Sequence, residues 1–235
     1  MFPTPILSGV TNGTTATATP TVNLPTTISE HGRKLLVSIH RCAVAGAIGW
    51  PANWVELYNA SGDAADDVIS IAYKWILSSD GGNQISLTQG NGKFANLMWL
   101  IAGAEDPSIR PPELSTIAIG TTTPVNPTTV TPTGGVKNYL WLWLGGWGGE
   151  QTSPPATAPT GYSTPMIGAN SGTAGAVTTN VRVASAWKNA TAASEDPPTV
   201  AISATASGWS GWGMAIHPAS PMKFAAINHQ NPGIV

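Results

Sequence analysis

Short runs of alternating or continuous apolar residues, separated by turns rich in glycine and proline, recur along the whole chain. The run 67–77 (DVISIAYKWIL) alternates, with Ile71, Tyr73 and Trp75 on one side, as in a strand with one buried face. No stretch shows a convincing helical period. The 26 glycines and 20 prolines favour many turns over long helices. The sequence therefore predicts an all-β chain.

The predicted strands follow one another with little chain between them. The residues Asp80 to Asn83 (DGGN) predict a hairpin turn that joins 67–77 to a partner strand at 84–88. The Pro- and Thr-rich stretch 104–135 is predicted to be a connection with short strands, and 145–165 to be a loop. The remaining predicted strands are 14–19, 34–40, a short one within 49–57, 96–102, 115–119, 128–130, 138–144, 180–187, 199–203 and 213–217.

The second half of the chain repeats the strand pattern of the first. KLLVSIH at 34–40 corresponds to NYLWLWL at 138–144, and Trp75 matches Trp187 at the end of the next long strand. We interpret this as an internal duplication. Similar strand chemistry without common ancestry is the alternative. The half-repeats run over about 14–104 and 136–218, with the connection at 105–135 between them.

Eight to ten strands without intervening helices predict two packed sheets. We therefore expect a jelly-roll-like antiparallel β-sandwich over residues 1–219, because eight strands in two sheets is the jelly-roll count. Whether the halves form one sandwich or two stays open. Residues 220–235 follow the second repeat and are predicted to be a C-terminal arm, which either adds an edge strand or reaches a neighbouring subunit.

Charged residues make up only 9% of the chain, against about a quarter in a typical domain. Such a chain is expected to cover much of its surface with copies of itself or a partner, whereas a Thr-, Ser- and Asn-coated soluble domain is the alternative. The net charge of −2 without a basic stripe excludes nucleic-acid binding. Residues 1–10 do not resemble a signal peptide, and the longest apolar stretch, 139–147, is too short to span a membrane. The single cysteine, Cys42, allows no internal disulfide and fits assembly in a reducing cytoplasm.

Ten tryptophans are the most unusual feature of the composition. Trp141 and Trp143 alternate with leucines, so both faces of their strand are apolar. One face can meet the core, and the other must meet a loop, a second layer or another subunit. Trp147, Trp209 and Trp212 lie among glycines and are predicted to be exposed loop rings that contact a partner or a glycan.

Chemical motifs are missing from the sequence. The histidines show no HxH or HExxH spacing, so no metal is expected. The acidic group Asp63, Asp66 and Asp67 lacks the spacing of a calcium loop and is predicted to be a solvated turn. No GxSxG elbow occurs, and the glycines at 145–149 lack the lysine of a phosphate loop. We therefore expect neither an enzyme nor a cofactor.

The order of these segments resembles the jelly-roll-like domains of bacteriophage and prophage virion structural proteins, in head or tail components. The resemblance rests on the packing and turn residues at 14–19, 34–40, 49–54 (GWPANW), 69–75, 138–144, 181–187 and 212–218. It implies a virion component with a binding or cementing role, and it carries over no catalytic residue.

Three functions follow as expectations. The leading one is a capsid decoration or cement protein, assembled in the host cytoplasm, that forms a homo-oligomer (a trimer being one candidate) and binds the major capsid protein or other virion proteins. The alternative is a tail-associated adhesin that recognises cell-surface glycan through Trp147, Trp209 or Trp212. A glycan-cleaving enzyme is the third, from a different class.

Overall fold

The computed structural model describes residues 1–25, 34–62, 67–76, 84–121, 124–149, 157–163, 166–172, 180–202 and 206–220. Within these residues the secondary structure consists of β-strands without a helix, and neighbouring strands are antiparallel. The prediction of an all-β antiparallel sandwich is confirmed. The strands are β1 (Thr4–Thr17), β2 (Thr21–Asn23), β3 (Lys34–Cys42), β4 (Val55–Ser61), β5 (Val68–Ile76), β6 (Gln84–Ser86), β7 (Gly92–Ala102), β8 (Glu113–Leu114), β9 (Ala118–Gly120), β10 (Lys137–Gly149), β11 (Ile167–Asn170), β12 (Val181–Ala192) and β13 (Ala206–Ile216).

Two large sheets share the same internal order of strands. The first sheet has the order β1-β7-β3-β5-β4, and the second has the order β11-β12-β10-β13-β8, with β9 also pairing with β13. In the first sheet, β3 lies between β5 and β7, and β4 lies outside β5. In the second sheet, β10 lies between β12 and β13, and β11 lies outside β12. The far side of β7 pairs with β1, and the far side of β13 pairs with β8 and β9. The duplicated strand pattern is therefore present in the topology, with each half forming its own sheet.

The two sheets face each other across one apolar core. Side chains alternate between the two faces of a strand, and those on the inner faces of both sheets form a single buried cluster. A hydrogen bond of 2.9 Å from Trp99 Nε1 to Ser185 Oγ also joins the sheets. The halves therefore share one sandwich. The fully buried Leu, Ile, Val and Met members of the core are Leu35, Val37, Ile39, Ile69, Ile71, Leu97, Ile101, Leu140, Leu142, Leu144, Val181, Val183, Met214 and Ile216.

The outer face of each sheet is covered by the chain's own segments. Over the first sheet lies a small second layer in which β2 pairs with β6 and buries Val22 and Leu87. Over the second sheet lie the connection, where Val125 forms a bridge to Val200, and the segment around Tyr162. The Pro- and Thr-rich connection contains the short strands β8 and β9, and it also forms part of an apolar layer. The predicted strand 115–119 overlaps β9 only at 118–119, and 128–130 makes only an isolated bridge at Val130, so these two predictions were largely wrong.

Several local predictions were wrong. The strand β6 pairs with β2 rather than with β5, so 84–88 is not a hairpin partner. Residues 199–203 form no strand in their described part, where only Val200 makes a bridge. The glycine-rich residues 145–149 continue β10 instead of forming a loop, and β1 begins at Thr4, well before residue 14. The predicted turn at 80–83 and the arm beyond residue 220 lie outside the described residues.

In both halves, a glycine of an outer strand lies under an aromatic ring of the strand with which it pairs. Gly13 of β1 lies opposite Phe94 of β7, and Gly120 of β9 lies opposite Trp209 of β13. A Cβ atom at Gly13 would come within 2.1 Å of the Phe94 ring, and one at Gly120 within 2.5 Å of the Trp209 ring. Each ring therefore packs directly on the glycine backbone, where a side chain would displace it.

We expect Gly13→Ala to lower the free energy of unfolding by about 1–3 kcal/mol, because the new methyl group forces the Phe94 ring out of its place. Gly9→Ala, in the same strand, is the matched control. A Cβ at Gly9 meets its nearest atoms at 3.5 Å and beyond, so this change should alter the free energy of unfolding by less than ~1 kcal/mol. Urea denaturation of both variants measures the difference, and equal midpoints would contradict the packing argument.

Candidate functional site

The outward-facing tryptophans of β10 are fully buried under the chain's own segments. Trp141, Trp143 and Trp147 each have 0% of their surface exposed. Trp141 Nε1 donates to the Ala190 carbonyl oxygen at 3.1 Å, and Trp143 Nε1 donates to the Pro198 carbonyl oxygen at 3.2 Å. Of the three coverings expected for this face, the structure shows the chain's own loops. These rings therefore offer no surface to a second subunit, and the prediction that Trp147 is an exposed loop ring was wrong.

Trp209 and Trp212 lie in β13 and not in loops. Trp212 points into the core between the sheets, with its ring centroid 5.1 Å from that of Tyr58. Trp209 lies on the outer face over Gly120, and neither indole is more than 7% exposed. The expectation that these rings are exposed was therefore wrong. The neighbouring glycines indicated a loop, whereas here they are flat places in a sheet on which large rings can pack.

A polar group fastens the covering segment to the second sheet. Lys188 Nζ lies 2.5 Å from Glu195 Oε1, and the same carboxylate oxygen accepts a hydrogen bond of 3.1 Å from the Tyr162 hydroxyl. The Lys188 ammonium also lies 5.0 Å from the centroid of the Tyr162 ring. Burial and the neighbouring Glu195 carboxylate raise the pKa of Tyr162, so its hydroxyl stays a donor. These contacts hold the cover in a fixed position.

Half-buried tryptophans remain as candidate contact residues. Trp50 and Trp54 stack on each other, with centroids 4.8 Å apart and planes at 27°. The Trp50 indole N–H donates to Ser70 Oγ at 2.8 Å, which fixes that ring. Between them Asn53 has a φ of 71°, a left-handed backbone conformation that turns the chain tightly. The exposed Val55 follows directly. Trp75 and Trp187, at matching places in β5 and β12, are the other half-buried tryptophans among the described residues.

Sequence reasoning placed Trp50 in a turn but did not single out the stacked pair. The signal was present in GWPANW, where two tryptophans flank a proline turn. A tight turn that brings its two ends together also brings these rings together. The pair packs against the outer cluster of the first sheet and is partly open to solvent. It is the aromatic surface that the sequence had been expected to provide at Trp147, Trp209 and Trp212.

A buried polar network lies beside this ring pair. His40 Nε2 and Gln89 Oε1 are 2.7 Å apart, and Asn96 Nδ2 donates to Ser38 Oγ at 2.9 Å. The imidazole stacks on the Phe94 ring at 5.3 Å. Burial lowers the pKa of His40 to about 4, although the hydrogen bond with Gln89 acts in the opposite direction. The imidazole is therefore neutral at pH 7.

An ion pair in the inter-sheet core joins Arg41 and Asp67. The Arg41 Nε donates to Asp67 Oδ2 at 3.0 Å, and its Nη2 contacts the same oxygen. Both side chains are almost wholly buried. The prediction that Asp67 belongs to a solvated turn was wrong, while Asp63 and Asp66 lie outside the described residues. Because a buried charge is costly without its partner, this pair is a structural element and not an open site.

His217 and Glu113 form a second pair near the end of β13. Their Nε2 and Oε1 atoms are 2.6 Å apart, and Thr133 donates to the same carboxylate through its backbone N–H and its hydroxyl. Burial alone would raise the pKa of Glu113, but the hydrogen bonds from Thr133 and His217 outweigh it and lower that pKa. The imidazole is buried, whereas Glu113 is partly exposed. The pair anchors the connection to the end of β13.

The outer edges of the two sheets differ strongly in length and charge. β1 is an edge strand of 14 residues, and the stretch 4–17 contains no charged side chain. β4 has seven residues, carries Glu56 and has an irregular register after it. In the second sheet, β11 has four residues and β8 has two. Long uncharged edges are uncommon in soluble monomers, because their free N–H and C=O groups pair with other chains. β1 is therefore the candidate surface for a protein partner.

The described residues contain no group of three or more His, Cys, Asp and Glu side chains that could hold a metal. They also contain no helix long and apolar enough to cross a membrane. Comparison with family models, curated proteins and solved structures finds no match to this chain. The resemblance to phage virion domains therefore stays a prediction that rests on the residues named above.

The buried His40 makes stability depend on pH in a stated direction. The unfolded chain binds a proton at this residue near pH 6.5, whereas the folded chain keeps it neutral down to about pH 4. Protons therefore favour the unfolded chain, and the stabilisation present above pH 6.5 is lost as the pH falls towards 4. We expect the free energy of unfolding to drop by about 2 kcal/mol between pH 7 and pH 5. Urea denaturation at several pH values measures this drop.

His40→Gln should remove most of this pH dependence, whatever its effect on stability at pH 7. His217→Gln is the control that leaves His40 in place, and it should keep the decline between pH 7 and pH 5. Parallel stability curves for His40→Gln and the unchanged chain would contradict the role assigned to the buried imidazole.

Proposed function

We propose that this chain is a structural protein of a bacteriophage virion, which decorates or cements the capsid as a homo-oligomer. The observation that carries the proposal is the combination of a sandwich closed on both outer faces with the uncharged, 14-residue edge strand β1. The resemblance in the strand and turn segments supports the same conclusion. Its partners are copies of itself and the major capsid protein or another virion protein.

A closed sandwich suits a cementing role because its shape does not depend on the partner. The apolar outer face of each sheet is already covered within the chain, so assembly needs no refolding of the core. Few charges also suit dense packing of many copies, since like charges repel at short distance. A cement protein needs a rigid body with adhesive edges, and β1 supplies such an edge.

No catalytic role is part of this proposal. The paired titratable groups Arg41–Asp67 and His217–Glu113 are engaged in contacts that hold segments together. Hydrolysis of glycans needs two carboxyl groups on opposite sides of a bound sugar. Glu113 is already bonded to Thr133 and His217.

A second candidate function is the recognition of cell-surface glycan by a tail-associated adhesin. The stacked pair Trp50–Trp54 favours it, because sugar rings pack on exposed indole faces. Glu56 is exposed two residues after Trp54 and provides a carboxylate close to the pair in the chain. In this candidate the contact residues are Trp50 and Trp54, not the buried Trp147, Trp209 and Trp212.

A cement protein should bind the capsids of the phage that encodes it and raise their resistance to heat. We expect the purified chain to co-sediment with expanded capsids and to raise the temperature at which they release their DNA. Unexpanded procapsids are the control and should bind much less. Absence of the chain from purified virions, measured by mass spectrometry, would overturn the virion proposal.

For the glycan candidate, Trp54→Ala should weaken binding to host surface polysaccharide by about tenfold, the effect of losing one stacked ring. Trp187→Ala, which removes another half-buried indole, is the matched control and should bind normally. Titration of the polysaccharide followed by calorimetry measures the affinities. Equal affinities for Trp54→Ala and the unchanged chain would exclude the ring pair as the binding site.

A further inference from the structure

We propose that β1 pairs antiparallel with β1 of a second copy, across a two-fold axis that passes at Val10. The pairing would join two five-stranded sheets into one continuous sheet of ten strands. The inference deepens the proposed function, since it rests on the homo-oligomer and assigns the surface through which the oligomer forms.

The strand is held in position before any partner binds. Asn12 Oδ1 accepts a hydrogen bond of 3.0 Å from the Asn170 backbone N–H, which comes from the opposite sheet. Thr11 Oγ1 accepts one of 3.2 Å from the Asn23 backbone N–H in the covering layer. Within the described residues, β1 pairs with β7 along one side and with no strand along the other. A fixed edge of this kind binds a further strand without a large ordering cost.

The register follows from where β1 is regular. Its pairing with β7 is interrupted after Pro5 and again after Gly13, which leaves an even run over 7–13. The middle of this run is Val10. With the axis there, the two Val10 residues face each other, Ser8 lies opposite Asn12 of the second copy, and Gly9 lies opposite Thr11. The Ser8 hydroxyl then faces the Asn12 amide, and Gly9 faces the medium-sized Thr11 side chain. No pair of opposite side chains therefore clashes.

A second copy is the partner that the charge pattern favours. The run carries no charge, so two copies meet without repulsion, and a strongly charged strand would find no opposite charge to pair with. The other long edge, β4, carries Glu56 and is irregular after it. Pairing of β1 with β4 would be head-to-tail and would give a ring or an open filament, whereas pairing of β1 with itself always closes as a dimer.

Val10→Cys tests the pairing and its register. In an antiparallel pair, directly opposite Cα atoms lie about 4.5–5.5 Å apart, within the range that a disulfide spans. We expect mild oxidation to convert this variant into a covalent dimer of about twice the 24.1 kDa chain mass. The native Cys42 is buried and should not react. Val55→Cys on β4 is the matched control, because Val55 is 47% exposed and Val10 is 42% exposed, and it should stay monomeric on a non-reducing gel.

Two further measurements separate this inference from the proposed function. Thr11→Cys should cross-link at most weakly. With the axis at Val10, each residue 11 lies opposite Gly9 of the second copy, so the two cysteines are not directly opposite each other. Val10→Lys should shift the sedimentation mass to that of the monomer, while Val55→Lys should not. If the unchanged chain sediments as a monomer at all concentrations, the homo-oligomer itself fails. If it is oligomeric but Val10→Cys does not cross-link, or cross-links no better than Val55→Cys, only the β1 pairing is overturned.

Discussion

The central strands β3 and β10 are buried on both faces, and this constraint determines the layers of the molecule. A strand sends alternate side chains to opposite faces of its sheet, so a single sheet-to-sheet contact can cover only half of them. All nine residues of β3 are buried, as are the last eleven of the thirteen in β10. Exposing either face would cost about 25 cal/mol for each Å² of apolar surface. The chain therefore needs a cover on each sheet besides the core between them.

Both halves meet this requirement in the same way. A segment that precedes the central strand pairs with one that precedes the last strand, as β2 with β6 and Val125 with Val200. In both halves a glycine also lies under an aromatic ring of the last strand: a glycine of β1 under a ring of β7, and a glycine of β9 under a ring of β13. The covers differ in what they bury: the first encloses the polar neighbours of His40, and the second encloses Trp143 and Trp147. The two halves thus repeat the strand order, the cover and the packing of a ring on a glycine.

Alternation and turn residues were sufficient to predict β3, β5, β12 and the apolar parts of β7 and β10, because these signals are local. They missed most of β1 and the glycine-rich first half of β13, where apolar alternation is weak. They could not predict that β6 pairs with β2, whose partner residues are about sixty positions away in the chain, since pairing depends on which faces remain uncovered. Glycine was the main source of error at the site. Around Trp209 it indicated a loop, but a glycine in a sheet can equally lie under a ring. The stacked Trp50–Trp54 pair was readable only through the geometry of the turn between them.

The low charge of the chain is not explained by apolar sheet faces that bind a partner, because the chain's own segments cover the outer face of each sheet. Moreover, Arg41, Asp67, Glu105 and Arg182 are buried, so the surface is poorer in charge than the composition suggests. What is left for association is main-chain pairing at an edge, which would extend without limit along a regular strand. The irregular register on either side of 7–13 restricts that pairing to a short run. A bounded edge of this kind favours a closed contact between two copies over open-ended aggregation.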